Sequence, residues 1–228
     1  FGKKGVISVA YFYKKLDSYI LDVGQQFDFK PFVTASTPLP STGAHAGSTV
    51  GILTMPTNGS GGNIHGIELN MDVPFSLATP MLDGFGVQLN HSDTKSSVSL
   101  PTSGFTFADT PSVNIPMPGL SRKVTNTKLY YEANGFQIGL AQKKRSDFLG
   151  EISDYEDTPK LTFIKGESIV DLQVAYEFQD GPLKGITLNV SAQNLTNAKF
   201  QRYVNDPSKP VEVVSYGKTY LFGANYKF

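Results

Sequence analysis

From Ser215 to Phe228 the chain alternates with a period of two. Tyr220, Phe222, Ala224, Tyr226 and Phe228 form one row, apolar and mostly aromatic. Gly217, Thr219, Gly223, Asn225 and Lys227 form the other, with Leu221 its one large apolar member. Successive side chains of a strand point to opposite faces, so this stretch reads as a strand with one greasy and one wet face. The same alternation recurs upstream. Ile7, Val9, Tyr11 and Tyr13 share a face, as do Ile67, Leu69, Met71 and Val73. Strands also read near Phe85, Arg122 to Glu132, Phe136 to Ala141, Val170 to Phe178 and Ile186 to Gln193. The chain is therefore all-β, with about eight strands.

The connections alternate in length. Short turns fall at Gly2–Gly5, Phe75–Gly84, Asn134–Gly135 and Gln179–Gly185. Asn-Gly is a strong hairpin signal. Long loops fall at Gly24–Gly62, Asp93–Pro118, Leu149–Lys165 and Asn194–Pro210. In an antiparallel up-and-down sheet this puts every short turn at one end and every long loop at the other, the asymmetry of a barrel spanning an outer membrane.

Alternation alone leaves the inner face open, because a soluble barrel would turn its apolar row inward. Three features favour the opposite arrangement. The polar row carries Gln137, Gln173, Asn189, Gln193 and Asn225, which suit a wet lumen. The strands reach the length a tilted membrane strand needs. Aromatics such as Tyr13, Tyr131, Phe136, Phe178 and Tyr226 sit near strand ends, as interfacial girdles do. Lys218 falls on the lipid row, which places it toward the outer boundary. Val174, Tyr176, Phe222 and Tyr226 gathered in a dry centre would overturn this reading.

The 228 residues carry 20 basic and 20 acidic side chains, which gives no support for nucleic-acid binding. There is no cysteine, hence no disulfide, thiolate metal site or Cys nucleophile. No apolar run is long enough for a membrane helix, and no signal peptide is visible. The chain opens on Phe1, which reads as a mature or truncated piece. His45, His65 and His91 are too scattered for a metal cluster, no Gly-x-Ser-x-Gly elbow occurs, and Gly59–Gly62 lacks the Lys-Ser/Thr of a phosphate loop. The acidic pairs Glu151/Asp154 and Glu156/Asp157 read as solvated charge. No enzyme, cofactor or metal is expected.

Binding is the better expectation. Loop residues suited to holding a bulky ligand at an outer mouth are Phe27, Phe29, Phe32, Phe105, Phe107, Tyr155, Arg202 and Tyr203. Lumen candidates are Lys143, Arg145, Asp171 and Gln193.

Several motifs carry a family resemblance. Gly223-Ala-Asn-Tyr-Lys-Phe228 resembles the terminal signal of bacterial outer-membrane barrels, though Leu221 stands where that signal usually has a polar residue. Gly223, Tyr226 and Phe228 would then serve barrel assembly. Val190-Ser-Ala-Gln-Asn-Leu-Thr-Asn197 resembles the Asn-Leu element before the last strand of TonB-dependent receptors. The runs at Gly66–Leu69, Gly119–Val124, Tyr130–Phe136 and Arg145–Gly150 are similar to the same family's C-terminal barrel. The resemblance implies a transmembrane antiparallel β-barrel of about twenty-two strands around a plug. Residues 1–228 would supply about the last eight strands, with plug and TonB box elsewhere. It implies active import of a siderophore, cobalamin or oligosaccharide across the bacterial outer membrane. The implied partners are outer-membrane lipid and lipopolysaccharide, the remaining strands and plug, the TonB complex and the barrel assembly machinery. The alternatives are a passive pore or small structural barrel, and a soluble secreted β-sandwich binding module.

Overall fold

The structure, a computed structural model, describes residues 5–43, 46–58, 61–99, 114–155 and 158–227. Eight strands form one antiparallel meander: β1 (Val6–Leu16), β4 (Gly62–Pro74), β5 (Phe85–Ser99), β7 (Lys123–Ala133), β8 (Phe136–Arg145), β11 (Glu167–Glu177), β12 (Ile186–Gln193) and β15 (Thr219–Tyr226). Each pairs with the next in that order, and the two-residue β6 (Asn114–Ile115) adds to the end of β5. This is a single-layer wall, not a sandwich of two packed sheets. Its two outer edges, on β1 and β15, pair with no other strand among the described residues.

One end of the wall is closed by tight connections. Asn134 and Gly135 both take positive φ, 52° and 80°, the pair a two-residue hairpin turn requires. A Cβ on Gly135 would stand 2.4 Å from the Glu177 carbonyl oxygen, so only glycine fits there. Two 3-10 turns, Phe75–Leu77 and Pro80–Leu82, join β4 to β5.

At the other end the sequence reading needs correction. The segment Gly24–Gly62 is not one long loop: β2 (Ile20–Asp28) and β3 (Val50–Asn58) form a hairpin that continues beyond β1 and β4. Leu149–Lys165 is likewise a hairpin, β9 (Phe148–Tyr155) with β10 (Thr158–Ile164), and Asn194–Pro210 contains β13 (Lys199–Val204). With β14 (Pro210–Ser215) these make a second sheet ordered β14-β13-β10-β9. β5 runs on to Ser99, well past the expected loop start at Asp93. The terminal strand begins at Thr219 rather than Ser215, because Gly217, at φ 74°, breaks the extended backbone. Ribbons that project beyond a wall have no single face to bury, so period-two alternation is weak in them and Pro56 and Pro159 are tolerated.

Register builds continuous rows across the wall. Val87, Leu129, Leu140, Leu172, Ala192 and Tyr220 are successive partners, as are Phe85, Tyr131, Ile138, Val174, Val190 and Phe222. The large side chains of this apolar face lie open: Val9 is 69% exposed, Leu140 41% and Phe222 79%. The opposite face is polar, and three hollows along the wall lie on it. One of about 390 Å³ is bordered by Lys128, Gln137, Lys143, Asp171, Gln173 and Gln193. Two of about 210 Å³ are bordered by Asn70, Asp72, Gln88, Asn90 and Asn126 among others. Hollows form where a sheet curves inward, so the polar side is read as the inside of the curve and the greasy side as convex.

The lower aromatic girdle crosses these rows at a slant. Phe85 and Tyr131 share a row, Phe136 and Tyr176 the next, and Tyr226 the one below. Four residues of slip over five strand intervals correspond to a slant of about 30°, given strand spacings near 4.8 Å and rises near 3.4 Å. Tilted strands are what a barrel wall needs.

The dry core is in the crown of hairpins, not in the wall. Val98, Ile115 and Leu149 are 0%, 4% and 1% exposed. Leu16, Tyr19, Met117, Ile152, Leu161 and Phe163 pack around them. Val98 shares the face of Gln88 and Asn90, so this cluster caps the concave side.

Candidate functional site

The concave face of the wall is a network of hydrogen bonds and paired charges. Gln88 Nε2 donates to Asp72 at 3.2 Å, and the Tyr130 hydroxyl reaches the other Asp72 oxygen at 3.5 Å. Tyr130 lies across Gly86, its cross-strand partner, where any Cβ would meet the ring. Lys143 Nζ stands 3.9 Å from Asp171, and Gln193 lines the same hollow. The lumen candidates Lys143, Asp171 and Gln193 are therefore neighbours. Arg145, at the end of β8, is already engaged: Nη2 is 2.7 Å from Glu167 and the guanidinium lies 5.0 Å over the Phe148 ring.

The crown places the other candidates. Phe27 is the penultimate residue of β2, Phe29 follows the strand, and Phe32 lies in a 3-10 turn, so they form one tip rather than a long loop. Their ring centroids are 4.9, 6.3 and 6.4 Å apart, and Phe32 is 63% exposed. Phe29 rests on Gly51 of the facing strand, 3.0 Å from where a Cβ would be. Asp28 accepts from the Lys30 backbone N–H at 3.0 Å, a bond that holds its carboxyl below the usual range. Phe105, Phe107 and Phe228 lie outside the described residues, and Tyr155 ends β9.

Arg202 and Tyr203 lie on β13, not in a loop. Arg202 bridges Glu151 of β9 and Glu212 of β14, the latter at 3.3 Å. Tyr203 is 8% exposed, stacks on Phe163 at 5.6 Å and donates to Asp147 at 2.7 Å. Asp147 also accepts from the Gly166 backbone N–H at 2.7 Å. This carboxylate thus ties the two-residue link between β8 and β9 to the link that leads into β11 and to β13. The sequence reading held it only as part of the run Arg145–Gly150 and gave it no role, since a lone Asp after Ser146 has no periodic signature. Burial, then the bond to Asp147, push the Tyr203 phenol up to about 12 from 10.0. A raised phenol stabilises the fold fully below the unfolded value and loses that contribution as pH climbs through the folded one. Crown stability is expected to hold below about pH 10 and fall between about pH 10 and 12. Tyr203→Phe should abolish that slope and cost about 1 kcal/mol at neutral pH, read by proteolysis of the hairpins against pH.

The Asn-Leu element is also explained by geometry. Asn194, at φ 54°, donates from Nδ2 to the carbonyls of Ala198 and Gly217, at 3.1 and 2.8 Å. Its Oδ1 accepts from the Ala198 N–H at 2.8 Å, and its own N–H donates to Asp171 at 2.9 Å. One side chain thereby joins the end of β12 to the start of β15. Gly223 faces Asn189, whose amide occupies the space of the missing Cβ, and Tyr226 pairs with Ile186. Among the described residues no group of three or more His, Asp or Glu could hold a metal.

A tilted antiparallel wall with a greasy convex face, a polar concave face and hairpins at one end is the architecture of an outer-membrane-type β-barrel. The family model "TonB dependent receptor-like, beta-barrel" matches residues 1–195, and the chain belongs to that family. No curated protein and no solved structure matches the chain. Members of the family are transporters rather than enzymes.

Proposed function

We propose that residues 1–228 are the C-terminal portion of a larger barrel in the bacterial outer membrane, giving about eight of about twenty-two strands around a plug. The observation that carries this is the inversion of the wall, with Leu140 and Phe222 bare on the convex side and charged hollows on the concave one. The two open edges support it too, since unpaired backbone groups are costly in hydrocarbon and must find further strands. The hairpin crown faces outward. It captures a bulky nutrient, an iron chelate, cobalamin or oligosaccharide, which is then imported by coupling to TonB.

The Phe27, Phe29 and Phe32 tip is the best-placed contact for such a ligand, being aromatic, exposed and held by its own hairpin. Arg202 and Tyr203 support the ligand through the crown they brace.

The test uses the whole receptor in cells, with labelled ferric siderophores, cobalamin and maltooligosaccharides as probes. Uptake of one probe should vanish when TonB is absent; uptake that persists would favour a passive pore. For that probe, Phe32→Ala should weaken binding about five-fold, an aromatic contact being worth about 1 kcal/mol. Unchanged affinity would remove the tip from the ligand site.

A further inference from the structure

One row of the concave face is left without partners by the wall itself. Ser8, Asn70, Asn90 and Asn126 are successive register partners on β1, β4, β5 and β7. Asparagine is a poor strand former, yet three of them stand side by side within their strands. All three are exposed, and none of their side-chain amides forms a hydrogen bond among the described residues. Opposed side chains lie close enough to bond one another across a sheet; these do not. The next row toward the short turns is satisfied internally, Asp72 accepting from both Gln88 and Tyr130.

The row stands where two hollows of about 210 Å³ meet, each bordered by both Asn70 and Asn90 and one also by Asn126. Neighbouring strands lie about 4.8 Å apart, so three amides span about 10 Å, close to the length of a disaccharide. Each amide offers a carbonyl acceptor and an NH2 donor. The vicinal hydroxyls of a sugar call for that combination, whereas an anion calls for donors alone. Glu68 lies one step toward the crown and Asp72 one step away from it, two carboxylates that disfavour an anionic iron chelate. The cations beside the row are turned elsewhere: Lys143 faces Asp171, and Lys128 lies over the Tyr130 ring at 5.9 Å.

We propose that this asparagine row is an inner binding site for a neutral oligosaccharide, met after the crown has captured it. The inference deepens the transport reading and rests on it, since the concave side must line the path of the nutrient. Among the nutrient classes open to such a receptor, it selects the one rich in hydroxyls and free of charge.

The test uses the whole receptor in cells. Labelled maltohexaose, cellohexaose and xylohexaose are the probes, beside a ferric catecholate, a ferric hydroxamate and cobalamin. One of the oligosaccharides should be imported, and none of the other three. Asn70→Ala combined with Asn90→Ala should slow that uptake about ten-fold, each lost hydrogen bond counting about three-fold. Surface binding in a strain lacking TonB should stay unchanged, because the crown is untouched. Thr187→Ala, on the same face of β12, should leave uptake as it was. Should the double variant fail to assemble, a photoreactive form of the imported sugar decides: in the wild type it should label peptides of β4 and β5. Import of a chelate or cobalamin instead, import of no oligosaccharide, sugar uptake unmoved by the double variant, or labelling confined to the crown would overturn the proposal. Sugar uptake that needs the asparagines but not TonB would keep the inner site and remove the energy coupling.

Discussion

Leu140→Arg is expected to destabilise the assembled wall by about 2–4 kcal/mol, the cost of a cation at the middle of the hydrocarbon. Leu140 is four residues from Phe136 of the girdle and five from the end of β8 at Arg145, near the middle of its strand. It is 41% exposed, with nothing packed over it. On a surface facing water the same change would cost within about 0.5 kcal/mol. The readout is urea-induced loss of heat-modifiable gel mobility in lipid vesicles. A shift as small as that of a surface substitution would mean that the convex face meets water. Gln142→Arg, nearer the crown end of β8, should cost less than Leu140→Arg, because the penalty falls toward the interface.

Leu149→Ala should cost about 2–5 kcal/mol, but in the crown. Leu149 is 1% exposed among Val98, Ile115, Ile152 and Leu161, and its carbonyl accepts from the Gly119 N–H at 2.7 Å. The cavity left by the truncation has no solvent to fill it. Cleavage of the β9–β10 and β13–β14 hairpins by protease should accelerate while the wall keeps its gel mobility. Equal loss in both parts would show that crown and wall unfold as one unit.

The wall was legible in the sequence because lipid and lumen impose a strict alternation. Val170, Leu172, Val174 and Tyr176 against Asp171, Gln173 and Ala175 state both faces of β11 outright. The crown was not. β2, β3, β10 and β13 pair as ribbons, and of them β10 alone enters the small core cluster, so their apolar residues follow no single period. Glycine, proline and threonine there look like loop. Arg202 and Tyr203 were singled out for their chemistry, but their partners Glu151, Glu212 and Asp147 are remote in sequence or unremarkable in pattern. The aromatic tip was visible as three nearby phenylalanines, while its spacing and support by Gly51 needed the hairpin to be folded.

The slant of the strands sets how thick a bilayer this wall can fit. Eight residues of strand extend about 27 Å, which at tilts of about 30–40° shrinks to about 20–25 Å of vertical reach. Bacterial outer membranes are thinner than most. Here the match is made by inclination rather than by shorter strands, so a thicker host bilayer would have to compress around the protein or draw the upper strand ends below the headgroups.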